Sequence, residues 1–226
     1  SWSLAWDDVL GQPTSLTDPS GVVTQVSYDE LGRLKNVAVN GALPHVHYVY
    51  DWTAPRPRTF TYSFDGTPGE LTAFGGSFVS GGKWRESVAV ANGAGEELYG
   101  ATRLETGRWI VGGWRERDAK GRVVYAGDPV YWPSAELPVA RPQGMVGQSL
   151  VYDGLDRLVL QTLPNGSKKS VAYAALQQTV TSDGLAPVTS FLDGLERVTR
   201  TERTVNGITE SVDATYDAAG RILKMS

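Results

Sequence analysis

A short motif recurs along this chain and constrains the fold more than any other feature. Its clearest copy, Tyr28-Asp29-Glu30-Leu31-Gly32-Arg33, is an aromatic residue followed by Asp, two variable positions, Gly and Arg. A signature that returns at quasi-regular spacing indicates an array of similar supersecondary units. The fold is therefore determined by the structure of one repeated unit and by the contact between neighbouring units.

Three good and three degraded copies of the motif can be recognised. A weak copy starts at Trp6-Asp7. In two other copies, Asp156 and Glu196 replace the glycine, so we expect a different turn there. Apart from the weak copy at Trp6, the motif residues are Tyr28, Asp29, Gly32, Arg33, Asp118, Gly121, Arg122, Tyr152, Asp153, Arg157, Asp193, Arg197, Tyr216, Asp217, Gly220 and Arg221.

Each motif residue has a role in a β-hairpin. Asp is favoured at the first position of a type I turn, where its carboxylate accepts backbone N–H groups. Glycine adopts the left-handed conformation that follows such a turn. Arg opens the returning strand and can reach back to the Asp, while the Tyr ring can stack on its equivalent in the next unit. The motif therefore predicts structural roles for its residues.

The sequence between the motifs predicts an all-β, antiparallel fold of successive hairpins. Residues 45–50 alternate apolar and polar side chains, and Asn40-Gly41 and Asn206-Gly207 are strong hairpin-turn signals. No segment shows a sustained helical period. Asn92-Gly93-Ala94-Gly95-Glu96 is either a decayed copy of the motif or an unrelated turn.

The distribution of the motif predicts three segments in one continuous array. Repeats occupy residues 1–51 and 118–226, and residues 52–117 are degenerate repeats or a hairpin insertion. Both ends of the sequence cut across the repeat pattern, and no signal peptide is visible. We therefore expect a piece of a longer polypeptide.

Composition narrows the possible functions. The 226 residues carry a net charge of −4 without a basic block, which argues against a nucleic-acid partner. No apolar run is long enough to span a membrane. There are no cysteines, which excludes disulfides, thiolate metal sites and a cysteine nucleophile.

The repeats resemble the Rhs/YD-repeat family. The resemblance rests on Asp18-Pro19-Ser20-Gly21 leading to the motif at Tyr28, and on the motif at Tyr152 leading to Pro164-Asn165-Gly166. The segment from Arg108 to Pro129 is similar to the repeat region of insecticidal toxin-complex B components and related virulence-plasmid proteins. The chain therefore looks like a fragment of such a repeat shell.

In that family the repeats wind into a curved, spiralling β-sheet that closes as a hollow shell around a toxic segment. The resemblance implies a structural, non-catalytic wall segment of a bacterial secreted or cell-surface protein, without a cofactor. The implied partners are the remaining repeats of the polypeptide, the encapsulated toxin segment and other toxin-complex subunits. The family's self-cleaving core domain is not recognisable, so autoproteolysis is not carried over to Asp18 or Asp128.

A carbohydrate-binding β-repeat module of a cell-surface protein is the alternative function. The chain has seven tryptophans, and exposed aromatic rings on a β-surface can stack against sugars. Trp52 and Trp84, which lie near arginines in the sequence, are the candidates. The competing interpretation is that these rings pack between hairpins.

The sequence provides weak candidates for catalysis or metal binding. His45 and His47 are two residues apart on a predicted strand and would face one side, but only Asp51 is close enough in sequence to join them. Ser77 and Ser167 lie outside any nucleophile motif. The 25 acidic residues could supply a carboxylate pair of the glycosidase type, but most of them recur as turn residues with a local structural role. We therefore expect no metal site and no enzymatic activity.

Overall fold

The computed structural model describes residues 1–41, 43–53 and 55–226, whose regular secondary structure is almost entirely β-strand. Twenty strands in these residues form two antiparallel sheets of ten strands each. Within the described residues the helical structure is limited to one 3-10 turn, Pro68–Glu70, and no helix is long and apolar enough to cross a membrane. The predicted all-β fold is therefore confirmed.

The chain forms two compact units, residues 1–115 with 127–145 and residues 116–126 with 146–226. The first unit holds the first sheet, in which consecutive strands pair along the chain and the last strand pairs with β9. Its strands are β1 Ser3–Asp7, β2 Gln12–Thr17, β3 Val23–Tyr28, β4 Leu34–Val39, β5 Val46–Asp51, β6 Arg58–Phe64, β7 Trp84–Ala91, β8 Glu97–Arg103, β9 Trp109–Gly112 and β12 Val130–Trp132.

The second unit holds most of the second sheet, which again follows the order of the chain. Its strands are β10 Arg115–Arg117, β11 Val123–Gly127, β13 Gly147–Tyr152, β14 Leu158–Thr162, β15 Lys168–Ala174, β16 Gln177–Ser182, β17 Val188–Leu192, β18 Val198–Val205, β19 Ile208–Tyr216 and β20 Ile222–Met225. Because consecutive strands pair, most contacts are local along the chain.

Turn residues set the connections between strands. Asn206 and Gly207, with φ of 51° and 78°, form the predicted two-residue hairpin between β18 and β19. Asn40 also has positive φ, 51°, and accepts the N–H of Val23 on its side chain. The connection from β4 to β5 is nevertheless longer than the predicted Asn40-Gly41 hairpin, and includes residue 42, which lies outside the described residues.

Buried side chains gather on one face of strands β6 to β9. Along β7 buried and more exposed residues alternate, as expected for a strand with one face in a core. Full burial of a large apolar side chain contributes roughly 1.5–3 kcal/mol, so this face is the main source of hydrophobic stabilisation in the first unit. Its buried apolar residues are Tyr62, Trp84, Val88, Val90, Tyr99, Ala101, Trp109 and Val111.

Two segments without strands cover this face. In residues 65–83, the Phe74 ring packs on Tyr62 and Trp84 with centroids 4.3 and 5.1 Å away. In residues 133–145, backbone carbonyls accept the Tyr99 hydroxyl at 2.7 Å and the Trp109 indole N–H at 2.9 Å. The polar tips of these large rings are thus satisfied inside the core.

The second unit has no comparable core. Residues 116–126 and 146–226 are all described, and none of them is buried. Its strands show mainly intermediate exposure, as in β14 and β17. The second unit must therefore be held together by strand pairing and by contacts between neighbouring turns.

Candidate functional site: the repeated Asp-Arg turn and its tyrosine

The motif folds into one tight turn, seen clearly at Asp29. The Gly32 N–H donates to the Asp29 carbonyl at 2.9 Å, and the Asp29 N–H donates to the Arg33 carbonyl at 2.8 Å. The Asp29 carboxylate accepts the N–H groups of Leu31 at 3.0 Å and Arg33 at 2.9 Å. Gly32 has a φ of +73°, the left-handed conformation that the sequence predicts.

An ion pair between Arg and Asp closes the turn. Arg33 Nε donates to Asp29 Oδ2 at 2.7 Å, and its Nη2 lies 2.6 Å from the same oxygen. The hydrogen bond from Arg33, helped by backbone N–H groups, holds the pKa of Asp29 below its usual value. The equivalent Nε–Oδ2 distances are 2.7 Å for Arg122–Asp118, 2.8 Å for Arg157–Asp153, 2.7 Å for Arg197–Asp193 and 2.7 Å for Arg221–Asp217.

The two copies without glycine form the same turn, so the expectation of a different turn was wrong. Asp156 and Glu196 take φ values of 64° and 61° and donate their N–H groups to the carbonyls of Asp153 and Asp193, at 3.2 and 3.0 Å. Aspartate tolerates this conformation better than most residues, whereas Glu196 carries a strain on the order of 1 kcal/mol.

Asp156 also has electrostatic partners. Lys120 Nζ lies 2.9 Å from Asp156 Oδ1, and Arg122 Nη1 donates to the same oxygen. The hydrogen bond from Lys120 is the main cause of the lowered pKa of Asp156. This substitution therefore links two successive turns, which a glycine there would not do.

The same turn occurs where the motif is hard to recognise. Asn92 takes the place of Asp, accepting the N–H groups of Ala94 and Glu96 at 2.9 Å each, and its Nδ2 donates to Glu96 Oε2 at 2.9 Å. Residues 92–96 therefore form the turn of the motif with the side-chain donor and acceptor reversed. Gly at the fourth position is the signal shared with the turns at 104–108 and 163–167.

Asp51 keeps the role of the motif aspartate without the Gly-Arg sequence. Its side chain accepts the Thr53 hydroxyl at 2.9 Å, and its other oxygen pairs with Arg58, seven residues further along the chain. The Thr53 hydroxyl, followed by Arg58, lowers the pKa of Asp51 to about 2. The ion pair therefore survives a longer connection, because Asp51 and Arg58 are register partners on β5 and β6.

Each motif tyrosine reaches back to the preceding unit. The Tyr50 hydroxyl donates at 2.8 Å to the carbonyl of Leu34, the residue after Arg33. The predicted stacking of tyrosine on tyrosine is wrong at this position, because the Arg33 guanidinium lies against the Tyr50 ring instead. The other tyrosine bonds are Tyr28 to Pro13 at 2.7 Å, Tyr152 to Val123 at 3.0 Å, Tyr173 to Leu158 at 3.1 Å and Tyr216 to Val198 at 2.7 Å.

The ring of the same tyrosine contacts the arginine of the preceding unit. The Arg33 guanidinium lies 4.2 Å from the centre of the Tyr50 ring, a cation–π contact. We call one unit's Asp and Arg together with the next unit's Tyr the Asp-Arg-Tyr lock. It recurs as Arg122 over Tyr152 at 4.9 Å, Arg157 over Tyr173 at 4.3 Å and Arg197 over Tyr216 at 4.8 Å.

The two histidines have local partners. His47 Nδ1 is hydrogen bonded to Asn36 Oδ1, and its ring lies 4.9 Å from the Phe74 ring. His45 precedes β5 and accepts the Val39 N–H at 3.2 Å, so it is not on the strand as predicted. Among the described residues no group of three or more His, Cys, Asp or Glu side chains is arranged around a possible metal position.

The two tryptophan candidates differ in accessibility. Trp84 is buried, at 9% exposure, against Phe64 and Phe74, which corrects the prediction that it could offer a ring to a glycan. The reason is the alternation along β7, which directs Trp84 into the core. Trp52 is 60% exposed and lies 5.7 Å from the Arg33 guanidinium.

Part of the chain matches a repeat family, and almost all of it matches the fold of solved structures. Residues 8–42 match the family model of the RHS repeat. No curated protein matches the chain. Solved structures match over almost its whole length: 99% of the chain aligns with a structure of TcdB2-TccC3 at 18% identity and a TM-score of 0.78, covering 14% of that chain.

Two further structures give the same result. The chain aligns over 99% of its length with a TcdB2-TccC3-Cdc42 structure, at 15% identity and a TM-score of 0.76. A Photorhabdus luminescens Tc holotoxin pore with a mutation in TccC3 matches at 15% identity, 99% coverage and a TM-score of 0.75. The chain spans only 14–16% of the length of these matched chains.

Residues 8–42 match the RHS repeat, which confirms the predicted resemblance to the Rhs/YD-repeat family. The chain has the fold of a segment of the TcdB2-TccC3 structures.

Proposed function

We propose that the chain is a non-catalytic wall segment of an Rhs/YD-repeat shell that encapsulates a toxin segment. The observation that carries this proposal is the Asp-Arg-Tyr lock, in which the charged motif residues join one hairpin to the next. A wall requires a continuous sheet in which each hairpin is bonded to the next, and the lock provides such bonds. The likeness to TcdB2-TccC3 structures supports the same role.

The environment of the motif aspartates supports a structural assignment over a catalytic one. In Asp29, Asp118 and Asp193 the hydrogen bond from the motif arginine is the main cause of the lowered pKa. A general acid or base works best with a pKa near the working pH, and these shifts go the other way. The motif carboxylates are suited to holding turns.

The proposed context is a bacterial secreted or cell-surface protein. Its partners would be the remaining repeats of the same polypeptide, the enclosed toxin segment and other toxin-complex subunits. Supporting this, the matched structures include TcdB2-TccC3-Cdc42 and a Tc holotoxin pore.

Protease protection of the enclosed segment tests the proposal. In the full polypeptide that carries this chain, the toxin segment should resist added protease. Replacing Arg157 and Arg197 together with Ala should open the wall and expose the segment to digestion. The matched control is Arg200→Ala with Arg203→Ala, which removes the same charge from arginines outside the locks. A segment digested equally in the unaltered polypeptide would overturn the proposal.

Carbohydrate binding is the second candidate, favoured by the 60% exposure of Trp52 beside Arg33. A glycan array probed with the chain tests it. Reproducible binding to one glycan that is lost in Trp52→Ala and kept in Trp84→Phe would support this role. An array without binding, or binding unaffected by Trp52→Ala, would exclude Trp52 as the platform.

A further inference from the structure

A small cavity lies on the buried face of the first unit, beside the covering segment of residues 133–145. Its volume is about 40 Å³, which is more than one water molecule needs. Arg58, Val90 and Tyr99 form its floor, because they are register partners on β6, β7 and β8 and share one face of the sheet. None of the complete Asp-Arg-Tyr locks lines this cavity.

Two arginines line the cavity, and neither is fully bonded. Arg58 pairs with Asp51 through Nη2, but its Nε–H is buried and has no hydrogen-bond partner among the described residues. Arg56 is half-buried, and within the described part of the chain no hydrogen bond or ion pair engages its guanidinium. Asp51 balances only one of the two charges. The cavity therefore has unused N–H donors and one uncompensated positive charge.

The hydroxyl of Tyr99 does not supply the missing acceptor charge. Burial raises the pKa of Tyr99 to about 12, although the nearby Arg56 and Arg58 oppose this rise, so the hydroxyl is neutral at neutral pH. Its proton is already donated to the Pro138 carbonyl at 2.7 Å. An acceptor for the two arginines would therefore have to come from a ligand.

The rest of the lining indicates what kind of ligand fits. The other lining residues are apolar: Pro55, Val90, Leu137, Pro138 and Val139. Pro55 is exposed and Val139 is 70% exposed, so the cavity opens to solvent at an apolar rim. A guanidinium matches the geometry of a carboxylate, and the rim can hold a hydrocarbon group. A hydrated ion such as phosphate would place polar oxygens against this apolar rim, which is unfavourable.

We propose that Arg56 and Arg58 bind the carboxylate of a ligand with a short aliphatic body. The carboxylate accepts the free Arg58 Nε–H and N–H groups of Arg56, while the aliphatic body lies against Val139 at the rim. This carboxylate site goes beyond the proposed wall function and does not rest on it. Two sources share the required chemistry, a free small carboxylic acid and an acidic side chain of a polypeptide.

A matched pair of small molecules tests the need for a charge. The full chain, with labelled Val and Leu methyl groups, is titrated with isobutyrate or with isobutyramide and followed by NMR. Isobutyrate should give saturable shifts at Val90, Leu137 and Val139. The neutral amide should bind about 10-fold more weakly or worse, because it lacks charge-assisted hydrogen bonds. Equal binding of the two, or tighter binding of inorganic phosphate, would overturn the site.

Variants test the two arginines. Arg56→Gln should weaken isobutyrate binding about 10-fold or more while leaving the pair of Asp51 and Arg58 intact. Arg58→Lys keeps a cation beside Asp51 but removes the Nε–H, and should also weaken binding. The matched control is Arg115→Gln, which removes the same charge from an exposed arginine of the first unit and should leave binding unaltered. Equal losses in Arg56→Gln and Arg115→Gln would reduce the effect to net charge and contradict the site.

A second arm distinguishes the two sources of the carboxylate. A capped tripeptide with a central glutamate is compared with its glutamine counterpart in the same titration. Tighter binding of the glutamate tripeptide than of isobutyrate would assign the site to an acidic segment of a polypeptide, and the reverse order would assign it to a free small carboxylic acid. The comparison of ligands needs no variant, so it holds even if Arg56→Gln disturbs folding. Unchanged methyl signals with every carboxylate would show that the cavity holds only water and would reject the proposal.

Discussion

The face of β6–β9 and the second unit use the same antiparallel hairpins but are held together differently. In the first region large side chains such as Trp109 and Val111 are fully buried, and two covering segments close over them. In the second, residues 116–126 and 146–226 are all described and none is buried. Hydrophobic burial is the main stabilising contribution in the face of β6–β9. In the second unit, strand pairing and Asp-Arg-Tyr locks take that role.

This difference indicates how each region responds to damage. A packed core distributes the cost of a cavity over many neighbours, so one deletion is felt throughout it. A linear array is stabilised mainly by contacts between adjacent units, so one change acts locally.

Removing a core ring should have the largest effect. Trp109→Ala leaves a cavity in the fully buried face and should cost about 3–5 kcal/mol of unfolding free energy, measured by urea denaturation followed by circular dichroism. The control, Trp52→Ala, removes a ring that is 60% exposed and should change stability by less than about 0.5 kcal/mol. Similar losses in the two variants would contradict the assignment of the core to β6–β9.

Breaking the buried ion pair should have the next largest effect. Glu86 is 3% exposed, accepts the Tyr62 hydroxyl at 3.0 Å and pairs with Arg103 at 2.9 Å. Glu86→Ala removes the acceptor of the Tyr62 hydroxyl and the counter-charge of Arg103, and should destabilise the first unit by about 3 kcal/mol in the same urea experiment. Glu210→Ala removes an exposed partner of Arg203 and should cost at most about 1 kcal/mol. A small effect of Glu86→Ala would show that water can take the place of the carboxylate beside Tyr62 and Arg103.

Acid should loosen the second unit before the first. The pKa values of Asp118, Asp153, Asp193 and Asp217 are lowered in the folded chain by bonds from their motif arginines. Their contribution to stability is therefore complete above the unfolded value near 3.8 and is lost as pH falls through the lower folded values. The pKa values of Asp29 and Asp51 in the first unit are lowered too, but that unit also has its buried face, which does not depend on these carboxylates. Thermal unfolding below about pH 4 should therefore show the second unit melting earlier, with little change between pH 5 and 7. Simultaneous melting of both regions would contradict the division.

Much of the fold follows from local sequence patterns. Alternating strands and turn residues predicted the all-β fold, and the motif predicted the turn at Asp29 and its ion pair. These features are local because they involve residues within one hairpin. The turn at Glu196 was not predicted, since the surrounding hydrogen bonds enforce a positive φ that the side chain disfavours.

The lock and the buried face depend on contacts between distant residues. The motif does not reveal that Tyr50 would reach Leu34, because strand register decides which carbonyl lies beside the ring. Similarly, Trp84 looks like an accessible ring in the sequence, but it lies on the inward face of β7 and is covered by Phe74 from a distant segment. The sequence therefore predicts the structure of one hairpin more readily than the contacts between neighbouring hairpins.

Weakening one lock should have a small, local effect. Arg197→Lys keeps the charge but loses the planar group over Tyr216. The loss of a cation–π contact of about 0.5–1 kcal/mol should speed amide exchange in β18 and β19 roughly 2- to 5-fold. Arg203→Lys on β18 is the control. Faster exchange throughout the second unit would show that this unit behaves as one cooperative body.

Relieving backbone strain should give the smallest change, and a stabilising one. Glu196 adopts a φ of 61°, which glycine takes at no steric cost, so Glu196→Gly should raise unfolding free energy by at most about 1 kcal/mol. Asp156→Gly is the informative counterpart, because that change also removes the bonds to Lys120 and Arg122. It should therefore give less stabilisation than Glu196→Gly in matched thermal melts. If Asp156→Gly proved the more stabilising, the bonds from Lys120 and Arg122 to Asp156 would add nothing to the stability of the array.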